Sequence, residues 1–145
     1  MRIEQQELCG LIPHDGSMCL LETVEQWDEK RIVCTSRSHQ NIANPLRSSD
    51  QLAAIHGVEY AAQAMAVHGG LLAREKGETN PGGFLAALRG VSLHVDRLDT
   101  IAAPLRIEAE ELMRSGGSFI YQFTVQANGE PLLEGRLTVM GQEAS

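Results

Sequence analysis

Residues 52–75 read LAAIHGVEYAAQAMAVHGGLLARE, and within them Glu59 is followed one helical turn later by Gln63 and preceded three residues earlier by His56. On a helix these three positions share a face. The small and apolar neighbours Val58, Tyr60, Ala61 and Ala62 would strip water from the Glu59 carboxylate and favour its neutral form, the state a proton donor needs near neutral pH. Gln63 could hold that carboxyl in orientation, and His56 could act as a partner base. A solvated surface glutamate is the ordinary alternative, but the surrounding helix is too small and apolar to favour it. Gly57, at the start of the helix, leaves room for a substrate, and backbone N–H groups there could point at a carbonyl oxygen with the helix dipole behind them. Close packing of the helix on a sheet would explain the same glycine. No His-x-x-x-His pattern with an acid between and no Cys-rich spacing supports metal binding. A Gly-x-Ser-x-Gly nucleophile elbow is also absent.

These residues need a scaffold. A helix is expected from about Leu52 to Lys76, capped by Ser48, Ser49 or Asp50 and stopped by Gly77 with Asn80-Pro81-Gly82-Gly83 beyond. Its small residues recur on more than one face, which implies that strands wrap it from several sides. Before it, residues 8–12 read as ordered and end at the turn Pro13-His14-Asp15-Gly16, whose His14 is read as fixing that turn. Residues 19–26 and 31–38 read as a hairpin through Trp27-Asp28-Glu29-Lys30, and residues 39–51 as a long loop. After the helix, residues 84–96, 105–114, 118–127 and 132–140 read as four strands in a meander, with Asn128-Gly129 as a tight hairpin turn. Two strands, one long helix and four strands describe an α+β domain spanning residues 1–145, with a curved antiparallel sheet around one helix.

Composition narrows the partners. The 145 residues carry a formal net charge of −7 and cluster no basic patch, which argues against nucleic acid. Aromatics form only 4% of the chain, so the core must be aliphatic and alanine-rich. The three cysteines, Cys9, Cys19 and Cys34, are expected as free thiols of a cytoplasmic protein. Neither a secretory signal nor a membrane span is read in the sequence. His68 and His94 read as ordinary buried or surface histidines. Arg47, Arg89, Arg97 and Arg114 could form a phosphate-binding patch, though each alone reads as a surface arginine.

Several strings, in order, resemble the hot-dog family of 3-hydroxyacyl-acyl-carrier-protein dehydratases. LIPHDG at residues 11–16 running into MCLLETV at 18–24 is similar to that family's Pro-His turn and first long strand. EYAAQAMA at 59–66 is similar to its active-site helix, and residues 105–139 to its last three strands. The wording GVEYAAQAMAVHG at 57–69 is closer still to the divergent dehydratase-like proteins encoded beside aryl-polyene and related polyketide synthases. The resemblance covers essentially the whole chain and implies a hot-dog fold.

It also implies dehydration of a 3-hydroxyacyl thioester on a carrier protein's phosphopantetheine arm, with no cofactor. In that family the catalytic histidine stands shortly before an Asn-Pro pair, which places His39 ahead of Asn44-Pro45 as the base, with His56 as the rival and Asn44 and Gly57 at the substrate. The span from His39 to Glu59 is longer than the family's, and the aromatic residue expected after the histidine is missing. Family members dimerise edge to edge, with histidine and acid facing one substrate from different subunits, as homodimers or as heterodimers with another hot-dog chain. A hot-dog thioesterase and a non-catalytic subunit paired with an active dehydratase are the other readings.

Overall fold

The computed structural model describes residues 2–12, 18–78, 83–115 and 117–141. Strand β1 (Ile3–Glu4) leads into helix α1 (Gln5–Cys9), then β2 (Thr23–Trp27) and β3 (Arg31–Ser36). Two 3₁₀ turns, Ser38–Gln40 and Ala54–His56, flank the long loop before helix α2 (Gly57–Glu75). Strands β4 (Gly83–Leu93), β5 (Leu105–Ser115), β6 (Ser118–Ala127) and β7 (Glu130–Gly141) follow. They form one antiparallel sheet in the order β1-β2-β3-β5-β6-β7-β4. The sheet curls around α2, which is the hot-dog arrangement.

Period-two alternation builds the inner face. Leu105, Ile107 and Ala109 of β5, Tyr121, Phe123, Val125 and Ala127 of β6, and Leu133 and Leu137 of β7 are buried. Against them α2 presents Tyr60, Ala61, Ala64, Val67 and Leu71, all at 0–1% exposure. Each large aliphatic side chain removed from water contributes about 1.5–3 kcal/mol, so an aliphatic core suffices with few aromatics. Asn128 and Gly129 both have positive φ (52° and 78°), as a two-residue hairpin turn matched to strand twist demands.

Two expectations change. The four later strands are not a simple meander: β4 pairs with β7, with Leu88 opposite Leu137, while β5 pairs with β3. The connection after β4 therefore crosses to the middle of the sheet and leaves β4 at an edge. The helix also starts later than the periodicity suggests, and none of Ser48, Ser49 and Asp50 caps it. Ser48 and Gln51 exchange backbone hydrogen bonds (2.9 and 3.0 Å) around Ser49 and Asp50, both in the left-handed region. Leu52 and Ala53 then run extended up to the 3₁₀ turn, because residues 96–99 claim the backbone here: Leu98 N donates to Leu52 O and Ala54 N to Asp96 O. The Asp99 carboxylate accepts from Leu52 N at 2.9 Å. These long-range bonds outweigh local helix propensity. Arg97 beside Asp99, together with that Leu52 N–H, holds the Asp99 carboxyl below its ordinary range.

The turn containing His14 and the Asn80-Pro81-Gly82 stop lie outside the described residues. No helix among the described residues is long and apolar enough to cross a membrane.

Candidate functional site

Glu59 stands half-buried in the first turn of α2, directly before the fully buried Tyr60. The loop from β3 is fastened to this part of the helix by a hydroxyl chain. Asn44 Nδ2 donates to Tyr60 Oη (3.1 Å), Tyr60 Oη donates to Ser38 Oγ (2.7 Å), and Ser38 Oγ donates to Leu20 O (2.7 Å). Asn44 also donates to Ser38 O and accepts from Leu46 N. Expected at the substrate, Asn44 is 6% exposed and knits its own loop, though it also lines a cleft of about 530 Å³ with Cys19, Leu20, Glu22 and Arg37. Burial pushes the Tyr60 hydroxyl's pKa up, so it stays a neutral donor.

Gln63 is 2% exposed, and its amide is used at both ends by the segment before β2. Oε1 accepts from Leu20 N (2.8 Å) and Nε2 donates to Met18 O (2.6 Å). Through these two bonds Gln63 clamps a chain segment more than forty residues away in sequence. The helical register puts Gln63 and Glu59 near one another, but only the fold shows what the amide bonds.

His39 is fully buried in the 3₁₀ turn Ser38–Gln40. Its Nε2–H donates to Ile101 O at 3.0 Å, and this selects the neutral tautomer whose Nδ1 carries the lone pair. That Nδ1 is buried with no hydrogen-bond partner. Burial lowers the His39 pKa and keeps the ring neutral near pH 7. Arg47 holds the loop around it, donating to His39 O (2.9 Å) and Asp50 O (3.0 Å). His56, half-buried, ends the second 3₁₀ turn three residues before Glu59.

Gly57 packs closely against Leu133 of β7. A Cβ there would lie 2.5 Å from Leu133 Cδ2. The free N–H groups expected around it are engaged: Ala54 N by Asp96 O, His56 N by Ala53 O, and Gly57 N by the carbonyls of the 3₁₀ turn. Of the arginines considered for a patch, Arg97 pairs with Asp99, Arg114 with Glu111, and Arg47 with backbone carbonyls. Among the described residues no cluster of His, Cys, Asp and Glu could hold a metal.

Sequence reasoning did not single out Ser38 as a loop anchor, or the bond between two cysteines. Cys9 and Cys19 form a disulfide rather than two free thiols. Cys34 alone is free, and burial pushes its thiol pKa up to about 12. His68, distant in role, is fully buried: Nε2–H donates to Asp28 O (2.7 Å) and Nδ1 accepts from Tyr121 Oη (2.6 Å).

A single long helix carrying a carboxylate on its first turn, wrapped by a curled antiparallel sheet, defines a protein of the hot-dog class. Within that class the chain belongs to the ApeP-like family, described as ApeP dehydratase, whose match spans residues 6–145. Among solved structures it is similar to the dehydratase heterocomplex ApeI:P from Xenorhabdus doucetiae, with a TM-score of 0.84 at 24% identity over 94% of this chain and 91% of that one. AziG of S. sahachiroi gives a TM-score of 0.57 at 14% identity, covering 85% of this chain and 91% of that one. A hypothetical thioesterase with coenzyme A from Streptococcus pneumoniae TIGR4 gives 0.56 at 13%, covering 83% and 87%. No curated protein matches the sequence.

Proposed function

We propose that this chain dehydrates a 3-hydroxyacyl thioester, carried on the phosphopantetheine arm of an acyl carrier protein, to the trans-2-enoyl thioester in aryl-polyene-type biosynthesis. Membership of a dehydratase family over residues 6–145 carries the reading. The reaction removes a proton from C2 and expels hydroxide from C3 as water, so it needs one base and one acid and no redox partner. His39 suits the base: its Ile101 hydrogen bond fixes the tautomer, its lowered pKa keeps it neutral, and its Nδ1 lone pair is unclaimed. Glu59 suits the acid that protonates the leaving hydroxyl. Gly57 is left as a packing residue, and the donor to the thioester oxygen is sought elsewhere on the helix.

His39 is closed off from solvent within one chain, which favours action as part of a dimer whose partner reshapes the loop of residues 39–51. The ApeI:P relative is a heterocomplex, and most of the edge strand β4 here is exposed from Ala86 to Leu93, with Ala87 and Val91 half-buried. We accordingly read the working form as a dimer, with a second hot-dog subunit as partner.

The test is enoyl formation from 3-hydroxyacyl carrier protein, with the chain alone and with a second hot-dog subunit. Glu59→Gln and His39→Ala should each lower turnover by roughly 10²–10⁴ with folding intact. Turnover that survives His39→Ala moves the base to His56. If thiol is released without enoyl product, the reaction is thioester hydrolysis and the proposal fails.

A further inference from the structure

We propose that Cys9 and Cys19 form a reversible thiol–disulfide site, opened by a dithiol reductant, whose state sets how residues 18–20 pack against Gln63 on the helix that carries Glu59.

The case is geometric. Cys9 ends α1, Cys19 precedes β2, and the bond between them closes a ten-residue separation with Cα atoms 5.9 Å apart. The residues on either side of Cys19 are held from two other directions. Gln63 takes Met18 O and Leu20 N, while Ser36 Oγ and Ser38 Oγ both donate to Leu20 O at 2.6 and 2.7 Å. The backbone around Cys19 is thus the junction of three things: the disulfide, the α2 amide one turn beyond Glu59, and the 3₁₀ turn that contains His39. Cys19 and Leu20 also line the cleft beside that turn. A change in the bond acts on this junction before it acts on anything else.

Opening the bond need not unfold the N-terminus. Leu8 is fully buried, Glu7 pairs with Arg74 of α2 at 2.8 Å, and Gln5 Nε2 donates to Leu21 O at 3.2 Å. These contacts keep α1 docked without the disulfide, so the cross-link is better suited to local adjustment than to holding the fold.

The exchange is balanced. Cys9 is the more exposed of the two residues, half-buried where Cys19 is 7% exposed. A reductant thiolate attacks Cys9 Sγ and releases Cys19 as a thiolate, which takes up a proton. The reductant's second thiolate then displaces Cys9, which is protonated in turn. The chain gains two electrons and two protons, and the dithiol leaves as its own disulfide.

The full chain is equilibrated in buffers of graded reduced and oxidised dithiothreitol, then alkylated without denaturation and weighed, and amide exchange is followed in both end states. Two sulfurs should alkylate in the reduced protein and none in the oxidised, with Cys34 protected by burial until the chain is denatured. The Leu20 amide, bonded to Gln63, should exchange at least tenfold faster after reduction, and Cys9→Ser should show the fast rate under every buffer. Alkylation of Cys9 and Cys19 in the fully oxidised protein overturns the site. Leu20 exchange equal within twofold in the two states overturns the coupling to α2. Neither readout requires turnover, so failure of the proposed dehydration and failure of this site are distinguishable.

Discussion

Replacing Gln63 with Met isolates the clamp between α2 and the segment before β2. The substitution keeps the length and most of the volume of the side chain, so the cavity contribution is small. It removes the acceptor of Leu20 N–H and the donor to Met18 O. Leu20 is 1% exposed, and leaving its N–H unsatisfied costs about 1–3 kcal/mol. Met18 is half-buried, so water can replace its lost donor in part, at roughly 0–1 kcal/mol. The sum is about 1–4 kcal/mol. For 145 residues an unfolding entropy near 2.1 cal/mol/K per residue is roughly 0.3 kcal/mol/K, so Tm should fall by about 3–13 °C. Differential scanning calorimetry measures the fall directly, and urea unfolding gives the free energy independently. A fall below about 2 °C, with Leu20 still protected from exchange, would refute the reasoning, because the backbone would then have found other partners without Gln63.

Acid should destabilise the protein through two histidines. Burial depresses the pKa of both His39 and His68 below the ordinary 6.5. Below that value the unfolded chain takes up protons that the folded chain resists. Stability is therefore full above about pH 6.5 and falls as pH drops from there toward the lowered folded values, by up to about 1.4 kcal/mol per pH unit for each histidine. Urea midpoints between pH 7.5 and 5 should show this slope, and His68→Gln should flatten it; a slope unchanged by that variant would remove His68 from the account. Gly57→Ala should cost about 1–2 kcal/mol, overpacking against Leu133 outweighing the alanine's helix preference. The cost should shrink in a Leu133→Ala background, and additive effects in that double-mutant cycle would count against the contact. Tyr60→Phe removes the hydroxyl shared by Ser38 and Asn44 and should lower stability by about 1–2 kcal/mol by chemical denaturation.

Much of the architecture was legible along the chain because its causes are local. Alternation in residues 105–127 marks two strands with one buried face, Asn128-Gly129 supplies the left-handed conformations of a tight hairpin, and the small residues of 53–70 mark a helix that others wrap. A 3.6-residue repeat alone puts Glu59 in the neighbourhood of His56 and Gln63. What those side chains bond was decided elsewhere. Gln63 meets residues 18 and 20, His39 meets Ile101, and Leu52 meets Leu98 and Asp99. The same long-range pairing delayed the helix start to Gly57 and carried β4 across to β7. Nor does spacing show that Cys9 and Cys19 meet, since ten residues of chain fit many separations and only the docking of α1 beside β2 brings the sulfurs together. The sequence by itself determined the long helix and the main strands, though not β1 and α1, because propensity and periodicity act over a few residues. Only the tertiary structure decided the partners of the buried polar groups, because each of those bonds joins segments that local chemistry leaves independent.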